Sequence, residues 1–214
     1  MFTDQLNGVL SPEDAPSEIG RRSWRFNLEV DRAYFLSPFA GLIADRYDDA
    51  RFVLLLRDCF SWLDAFVEWS LRGPPTTSIG QASVAARYGQ YRERPAPEEA
   101  ALTEAGLFPI ASYLRYWFEL PERVLRDVPA ARLCVVRTED LDSSNERLAA
   151  FVGIDPSTIL TVHANRNGSR SGLLAQVSRE FVMERVEEHC APLMQRYWGD
   201  DWRSLVSRLP AQDR

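Results

Sequence analysis

Three short stretches of the chain carry the hydrophobic pattern of β-strands. Residues 24–30 alternate between apolar and polar positions, which predicts a short, half-buried strand. Residues 50–56 contain a continuous apolar run, Phe52 to Leu56, that stops at Arg57, and residues 132–136 contain a second such run, Leu133 to Val136. Continuous runs of this length are typical of parallel strands that are buried on both faces. The pattern therefore predicts three strands of a parallel sheet.

Most other apolar positions recur at the spacing of amphipathic helices. The segments with this spacing are residues 39–47, 60–71, 108–120, 121–128, 146–154 and 176–198. Residues 1–23 are polar and turn-rich, so we expect a loose amino-terminal segment. Residues 72–107 contain several glycines and prolines and scattered arginines, which predicts a loop-rich excursion.

Strands that alternate with helices indicate an α/β protein whose parallel sheet is covered by helices on both sides. At 214 residues and 45% apolar content the chain can bury one good core, and no change in composition divides it. We therefore expect a single domain that spans residues 1–214. Ligands of such folds bind beyond the carboxyl ends of the strands.

Charged residues follow each predicted strand at this ligand-binding edge. Glu29 and Asp31 lie at the end of the first strand, Arg57 and Asp58 follow the second, and residues 137–140 follow the third. We expect the three groups to converge on one cleft. An arginine at a strand end, followed by the start of a helix, is a natural phosphate site.

Each of these assignments has a structural alternative. Arg57 could instead form an ion pair that only stabilises the fold. Glu29 could pair with a neighbouring arginine, and the candidates are Arg22, Arg25 and Arg32. His163 and His189 are more typical of hydrogen-bonded structural histidines than of catalytic ones.

Composition narrows the classes of ligand. The net charge of −6 argues against a broad nucleic-acid or acidic-membrane surface, because either partner needs a positive field. All 25 basic residues are arginine, the side chain that best matches a phosphate or sulfate in bidentate contact. The three cysteines are odd in number and lack the spacing of metal ligands, and no segment approaches the about 18 apolar residues of a membrane span. We expect a cytoplasmic protein without a metal.

Four segments together resemble the sulfotransferases that use 3′-phosphoadenosine 5′-phosphosulfate (PAPS). They are LEVDRAYF (residues 28–35), ARFVLLLRDCFSWLDAFVEWS (50–70), RLCVVRTEDLDSSNERLAAFVGI (132–154) and VHANRNGSRSG (162–172). The resemblance lies in their order and spacing, since none is diagnostic alone. It implies a parallel sheet flanked by helices, similar to that of the P-loop NTPases.

The resemblance also implies roles for individual residues. Arg57 matches the arginine that holds the 3′-phosphate of the donor, and Glu29 matches the general base of the heparan N-sulfotransferases. Arg166 and Arg170 fall where related enzymes place a basic loop over the same phosphate. The family serine eight residues after the arginine is Ala65 here, so Ser61, one helical turn earlier, becomes the candidate hydroxyl.

The sequence departs from the family in one region. The family's glycine-containing phosphosulfate loop, with its lysine, has no counterpart, since only Gly8 and Gly20 precede Glu29 and no lysine occurs anywhere. The expected fold is therefore a P-loop-like sheet without its first strand and phosphate loop. Either Met1 is a late start within a longer enzyme, or the chain is a shortened homologue whose exposed sheet edge is covered by residues 1–23 or by a second copy.

Two functions follow from the resemblance. The first is transfer of a sulfuryl group from PAPS to a hydroxyl of a small-molecule acceptor, with aromatic residues such as Tyr113 and Phe118 as a wall of the acceptor pocket. The second is a catalytically impaired homologue that acts as a binding or scaffold protein. A nucleotide kinase has less support, because it would need the same phosphate loop.

Overall fold

The computed structural model describes residues 14–26, 29–31, 34–72, 78–159 and 171–211. Its α-helices are α1 (Ala15–Phe26), α2 (Ala40–Arg46), α3 (Cys59–Arg72), α4 (Ser78–Tyr88), α5 (Ala100–Glu104), α6 (Ile110–Asp127), α7 (Asn145–Val152) and α8 (Arg179–Trp198). The strands are β1 (Phe52–Leu56) and β2 (Leu133–Arg137). The 3-10 helices are Tyr34–Phe39, Gly89–Tyr91, Pro97–Glu99, Ala130–Arg132, Thr138–Asp140, Asp142–Ser144, Pro156–Thr158, Leu173–Gln176 and Asp200–Arg208.

Strands β1 and β2 form a two-stranded parallel sheet. The register runs from Phe52 opposite Leu133 to Leu56 opposite Arg137, so both strands end at the same edge. One face packs against α2 and the end of α6, where Ala40, Val124 and Val128 are buried. On the opposite face of β1 the side chains of Val53 and Leu55 are 41% and 49% exposed. The apolar run of β1 is thus buried on one face only, and not on both as its sequence predicted.

The predicted fold class is wrong. In the part of the chain that the structure describes, the protein is mostly helical and its one sheet has two strands, so it is not a P-loop-like sheet flanked by helices. The strand predicted at residues 24–30 is replaced by the end of α1 and by an exposed bend at Glu29 and Val30. Helical spacing explains the difference, because Ala15 and Ile19 bury one face of α1 while Trp24 is 86% exposed.

The predicted helices at residues 60–71, 146–154 and 176–198 are confirmed as α3, α7 and α8. Helix α7 ends at Gly153, whose φ of 82° is the left-handed conformation that favours glycine at a helix end. Helix α8 begins after Ser178, whose hydroxyl accepts a hydrogen bond from the Phe181 N–H. The two segments predicted at 108–120 and 121–128 join into the single helix α6, which contains Pro121.

The main hydrophobic core lies between α3, α6 and α8. Its fully buried members include Phe60, Leu63, Val67, Leu114, Val186, Cys190 and Leu193. The C-terminal 3-10 helix Asp200–Arg208 is attached to this core by Trp202, whose ring stacks on Phe60 with centroids 6.3 Å apart. Because Phe60 lies in the first turn of α3, this contact brings the 3-10 helix Asp200–Arg208 next to the end of β1.

The segment 72–107 contains more helix than its composition predicted. Helix α4 ends at Tyr88, a buried ring in edge contact with Tyr113 of α6 at 4.9 Å between centroids. Buried Glu99 accepts hydrogen bonds from the backbone N–H groups of Ala96 and Ile110, and so ties the end of the segment to the start of α6. No helix among the described residues is long and apolar enough to cross a membrane.

Candidate anion-binding site

The site lies where the two strands end. Arg57 directly follows β1, and Arg137, the last residue of β2, is opposite Leu56 in the sheet register. The parallel pairing thus brings the second and third predicted polar groups to one edge. The indole Nε1 of Trp117 donates a hydrogen bond of 3.0 Å to the carbonyl oxygen of Arg57 and fixes the backbone there.

Asp58 begins helix α3 and is fully buried. Its carboxylate accepts a hydrogen bond of 2.9 Å from the Ser61 N–H, and its carbonyl oxygen accepts the first helical bond from the Trp62 N–H. This is the geometry of an N-cap residue. The charge of this carboxylate is balanced by Arg208, whose Nη1 lies 2.6 Å from its Oδ2.

Ser61 connects Asp58 with Arg57. The Ser61 hydroxyl donates its proton to the Asp58 carboxylate and accepts a hydrogen bond of 3.0 Å from the Nε of Arg57. A hydroxyl has one proton, so in this arrangement Ser61 orients the arginine and has no donor left for an anion. The two Nη atoms of Arg57 are not buried, and they contact no acceptor within the described ranges.

The other arginines at this edge already have carboxylate partners. Arg137 donates from Nε to Asp140 at 2.6 Å, and this hydrogen bond raises the pKa of Arg137. Burial alone would lower the pKa of Arg208, but its contacts with Asp58 and Glu139 outweigh burial and raise it. Arg208 makes both contacts through Nη1 alone, so what distinguishes Arg57 among the described residues of this edge is that no carboxylate pairs with its guanidinium.

Glu139 closes the network on the side of β2. Its Oε1 accepts a hydrogen bond of 2.8 Å from the indole of Trp198, and its Oε2 lies 3.5 Å from Nη1 of Arg208. The Trp198 ring is itself 6.4 Å from the Trp117 ring, between centroids. The turn after β2 is thus linked to the same pair, Asp58 and Arg208, that begins α3.

The predicted base lies outside this network. Glu29 is exposed, and within the described chain no hydrogen bond or ion pair joins it to Arg57 or its neighbours. Its neighbour Asp31 instead forms a two-bond ion pair with Arg22, at 2.7 and 2.9 Å, and this contact raises the pKa of Arg22. Arg166, Arg170 and His163 lie outside the described residues.

Sequence reasoning missed a buried acid, Glu68 of α3, which is 3% exposed. Its carboxylate accepts hydrogen bonds from the N–H and hydroxyl of Ser171 and from the N–H of Gly172. Burial raises the pKa of Glu68, but these hydrogen bonds outweigh burial and lower it. Glu68 thereby holds the residue that follows Arg170. The available signal was a charged residue on the apolar face of a predicted helix.

The aromatic residues proposed as an acceptor wall mostly pack together. Tyr113 is buried and contacts Phe66 of α3 at 5.2 Å and Tyr88 of α4 at 4.9 Å, between ring centroids. Burial raises the pKa of Tyr113 to about 12. Trp69, one turn along α3 from Phe66, is the exposed end of this cluster. These contacts fit a structural role for the buried rings.

Comparison of the chain with models of known families, with curated proteins and with solved structures found no match.

Proposed function

We propose that the protein is a PAPS-dependent sulfotransferase in which Arg57 binds the 3′-phosphate of the donor. The acceptor in this proposal is a hydroxyl of a small molecule, and the products are a sulfate ester and adenosine 3′,5′-bisphosphate (PAP). The observation that supports it is the guanidinium of Arg57, which is held by Ser61 at a strand end and whose two Nη atoms contact no acceptor among the described residues. The sequence resemblance assigns the same residue to the 3′-phosphate.

The electrostatics of the site favour a phosphate over a neutral ligand. No carboxylate among the described residues pairs with the positive charge of Arg57, and the amino terminus of α3 adds the positive end of a helix dipole. The carboxylate of Asp58, which caps this helix, opposes the field, but its pairing with Arg208 reduces that opposition. A charge-assisted hydrogen bond contributes about 1.5–3 kcal/mol, which corresponds to a factor of about ten to one hundred in affinity.

The proposed transfer is a single displacement at sulfur. The acceptor oxygen forms a bond to sulfur while the bond between sulfur and the bridging oxygen of the 5′-phosphate breaks, and PAP leaves with that bond's electron pair. The acceptor proton goes to a carboxylate, and Glu29 has this role in the proposal. Arg57 contributes by positioning the donor, since it contacts the nucleotide and not the sulfuryl group.

The second candidate is a protein that binds the nucleotide without transferring sulfate. Two observations favour it: the sequence has no lysine or phosphosulfate loop, and no described contact links exposed Glu29 to Arg57. Both candidates require PAP to bind at Arg57. They differ only in turnover.

Calorimetric titration with PAP tests what the two candidates share. We expect saturable binding to the wild type and a dissociation constant at least about tenfold higher for Arg57→Met. Arg126→Met is the matched control, because Arg126 is an exposed arginine that pairs with Asp127 on α6. Undetectable binding at millimolar PAP, or equal binding by wild type and Arg57→Met, would refute the assignment.

Turnover separates the two candidates. Wild-type protein is incubated with PAPS and a panel of alcohols and phenols, and PAP formation and sulfate-ester formation are both measured. Equal amounts of the two products, lost in Arg57→Met and in Glu29→Gln, are expected for the sulfotransferase. If PAP binds and no ester forms, the result supports the second candidate, a nucleotide-binding protein, and excludes transfer to the acceptors in the panel.

A further inference from the structure

Arg208, in the 3-10 helix Asp200–Arg208, is connected to Arg57 by a continuous set of hydrogen bonds. Nη1 of Arg208 contacts the Asp58 carboxylate at 2.6 Å, and this carboxylate accepts both the N–H and the hydroxyl proton of Ser61. The Ser61 oxygen then accepts the Nε–H of Arg57 at 3.0 Å. Three contacts thus link Arg208 to Arg57, the residue that is proposed to bind the phosphate.

Each contact in this set has a direction that the next one requires. An ionised Asp58 accepts the Ser61 proton, which leaves a lone pair of Ser61 facing Arg57. Asp58 is fully buried, so its charged form needs a partner, and Arg208 is the arginine that contacts it. Without Arg208, the buried carboxylate would lose the charge that holds it in place, and a displaced Asp58 would no longer hold the hydroxyl in this orientation.

We propose that Arg208 is a positioning residue for the phosphate-binding guanidinium of Arg57, acting through Asp58 and Ser61. The expected effect on phosphate affinity rests on the proposed function. An arginine that is already held in its binding orientation binds a phosphate more tightly than one that must first be ordered. Glu139 shares Arg208 at 3.5 Å, so the turn after β2 helps to hold the same guanidinium.

Two packing contacts make Arg208 suited to this role. Trp202, on the same 3-10 helix, stacks on Phe60, which lies between Asp58 and Ser61 in the first turn of α3. Leu209, the residue after Arg208, is buried in the core. The packing of Trp202 and Leu209 therefore fixes the backbone around Arg208, so that only the rotamers of its side chain remain to be ordered when it meets Asp58.

Affinity for PAP gives the first test. We expect Arg208→Met to raise the dissociation constant about tenfold, the change associated with the loss of one well-oriented hydrogen bond. Arg203→Met is the matched control on the same 3-10 helix, since Arg203 pairs with Glu187 and methionine can keep the contact that its side chain makes with the ring of Trp202. In a Ser61→Ala background, Arg208→Met should change the affinity by less than about twofold, because the connection is already broken.

A ligand-free measurement separates this inference from the proposed function. The solvent-exchange rate of the Arg57 Nε–H is followed by NMR in wild type, Arg208→Met and Arg203→Met. We expect slow exchange in wild type and Arg203→Met and faster exchange in Arg208→Met. If Arg208→Met does not fold, Arg208→Gln, which keeps a donor without the charge, should show the same acceleration.

The outcomes lead to different conclusions. Wild-type exchange of the Arg57 Nε–H in the Arg208 variants overturns the positioning role, whether or not PAP binds. Faster exchange in a protein that binds no PAP keeps the positioning role and defeats the proposed function. Additive effects of Arg208→Met and Ser61→Ala on affinity would show that Arg208 acts by another route and would also overturn the inference.

Discussion

Replacement of Asp58 tests whether the buried carboxylate holds the strand-end site together. Asp58→Asn keeps a side chain that can cap α3 but removes the charge that Arg208 contacts at 2.6 Å. Asp58→Ala removes both the cap and the charge. The two variants therefore divide the contribution of one side chain into two parts.

The magnitudes follow from the contacts. Loss of a charge-assisted hydrogen bond costs about 1.5–3 kcal/mol, so this is the expected decrease in the free energy of unfolding for Asp58→Asn. The Arg208 side chain is 38% exposed, and water can solvate it in the variant, which favours the lower end of that range. Asp58→Ala should lose about 1 kcal/mol more, because it also lacks the N-cap.

Urea unfolding of both variants measures these decreases. The slope of each transition is compared with that of the wild type, because an unchanged slope means that a shifted midpoint reports a change in stability. Asp155→Ala is the control for capping alone, since Asp155 is an exposed N-cap that accepts the Ser157 N–H. Its effect should stay near or below about 1 kcal/mol. If Asp58→Asn unfolds at the wild-type midpoint, the contact with Arg208 does not stabilise the fold and the reasoning about the site is refuted.

Three further predictions, tested with four variants, concern buried groups and close contacts elsewhere in the fold. Glu68→Gln should destabilise the protein by about 1.5–3 kcal/mol, because its buried carboxylate accepts several hydrogen bonds, and an unchanged urea midpoint would contradict this. Burial lowers the pKa of His189 in the folded protein, whereas in the unfolded chain this histidine has its ordinary pKa of about 6.5. Below that pH the unfolded chain therefore binds more protons than the folded protein does. Stability should be complete above that pH and decline below it, and His189→Gln should flatten the decline; an equal decline in the variant would refute this origin. Gly41→Ala should cost about 1–3 kcal/mol, since its Cβ would lie 2.8 Å from Cβ of Asp127, whereas Gly20→Ala, which meets only the flexible end of an arginine, should be neutral or stabilising. Equal melting temperatures for the two glycine variants would show that α2 and α6 are not in close contact.

The elements that could be predicted from the sequence are those with a long or strong local pattern. Strands β1 and β2 are continuous apolar runs, and α3 and α8 repeat apolar positions over several turns, so each pattern was sufficient by itself. Residues 24–30 gave too short a pattern to decide. Their alternation fits a strand, but the buried pair Ala15 and Ile19 extends a helix through Phe26.

The site was accessible to prediction only in part. Parallel strands end at one edge, and from this rule the meeting of Arg57 with the turn after β2 could be predicted. The partner of Asp58 could not, since Arg208 lies 150 residues further along the chain and no local pattern relates the two. The contact between Glu68 and Ser171, 103 residues apart, escaped prediction for the same reason.

The prediction of three strands was wrong for a different physical reason. The prediction assumed that each apolar run is buried on both faces, which requires further strands and helices around it. In the described chain β1 pairs only with β2, and Val53 and Leu55 remain partly exposed. An apolar run predicts a strand well, but it does not report how many neighbours the strand has.

Recognition of a 3′-phosphate by Arg57 is the central claim, and a paired calorimetric comparison tests it most directly. PAP and adenosine 5′-phosphate, which lacks the 3′-phosphate, are titrated into wild type and Arg57→Met. The account predicts that wild type prefers PAP by at least about tenfold and that this preference disappears in Arg57→Met. The same preference in both proteins, or no binding of either nucleotide to wild type, would contradict it.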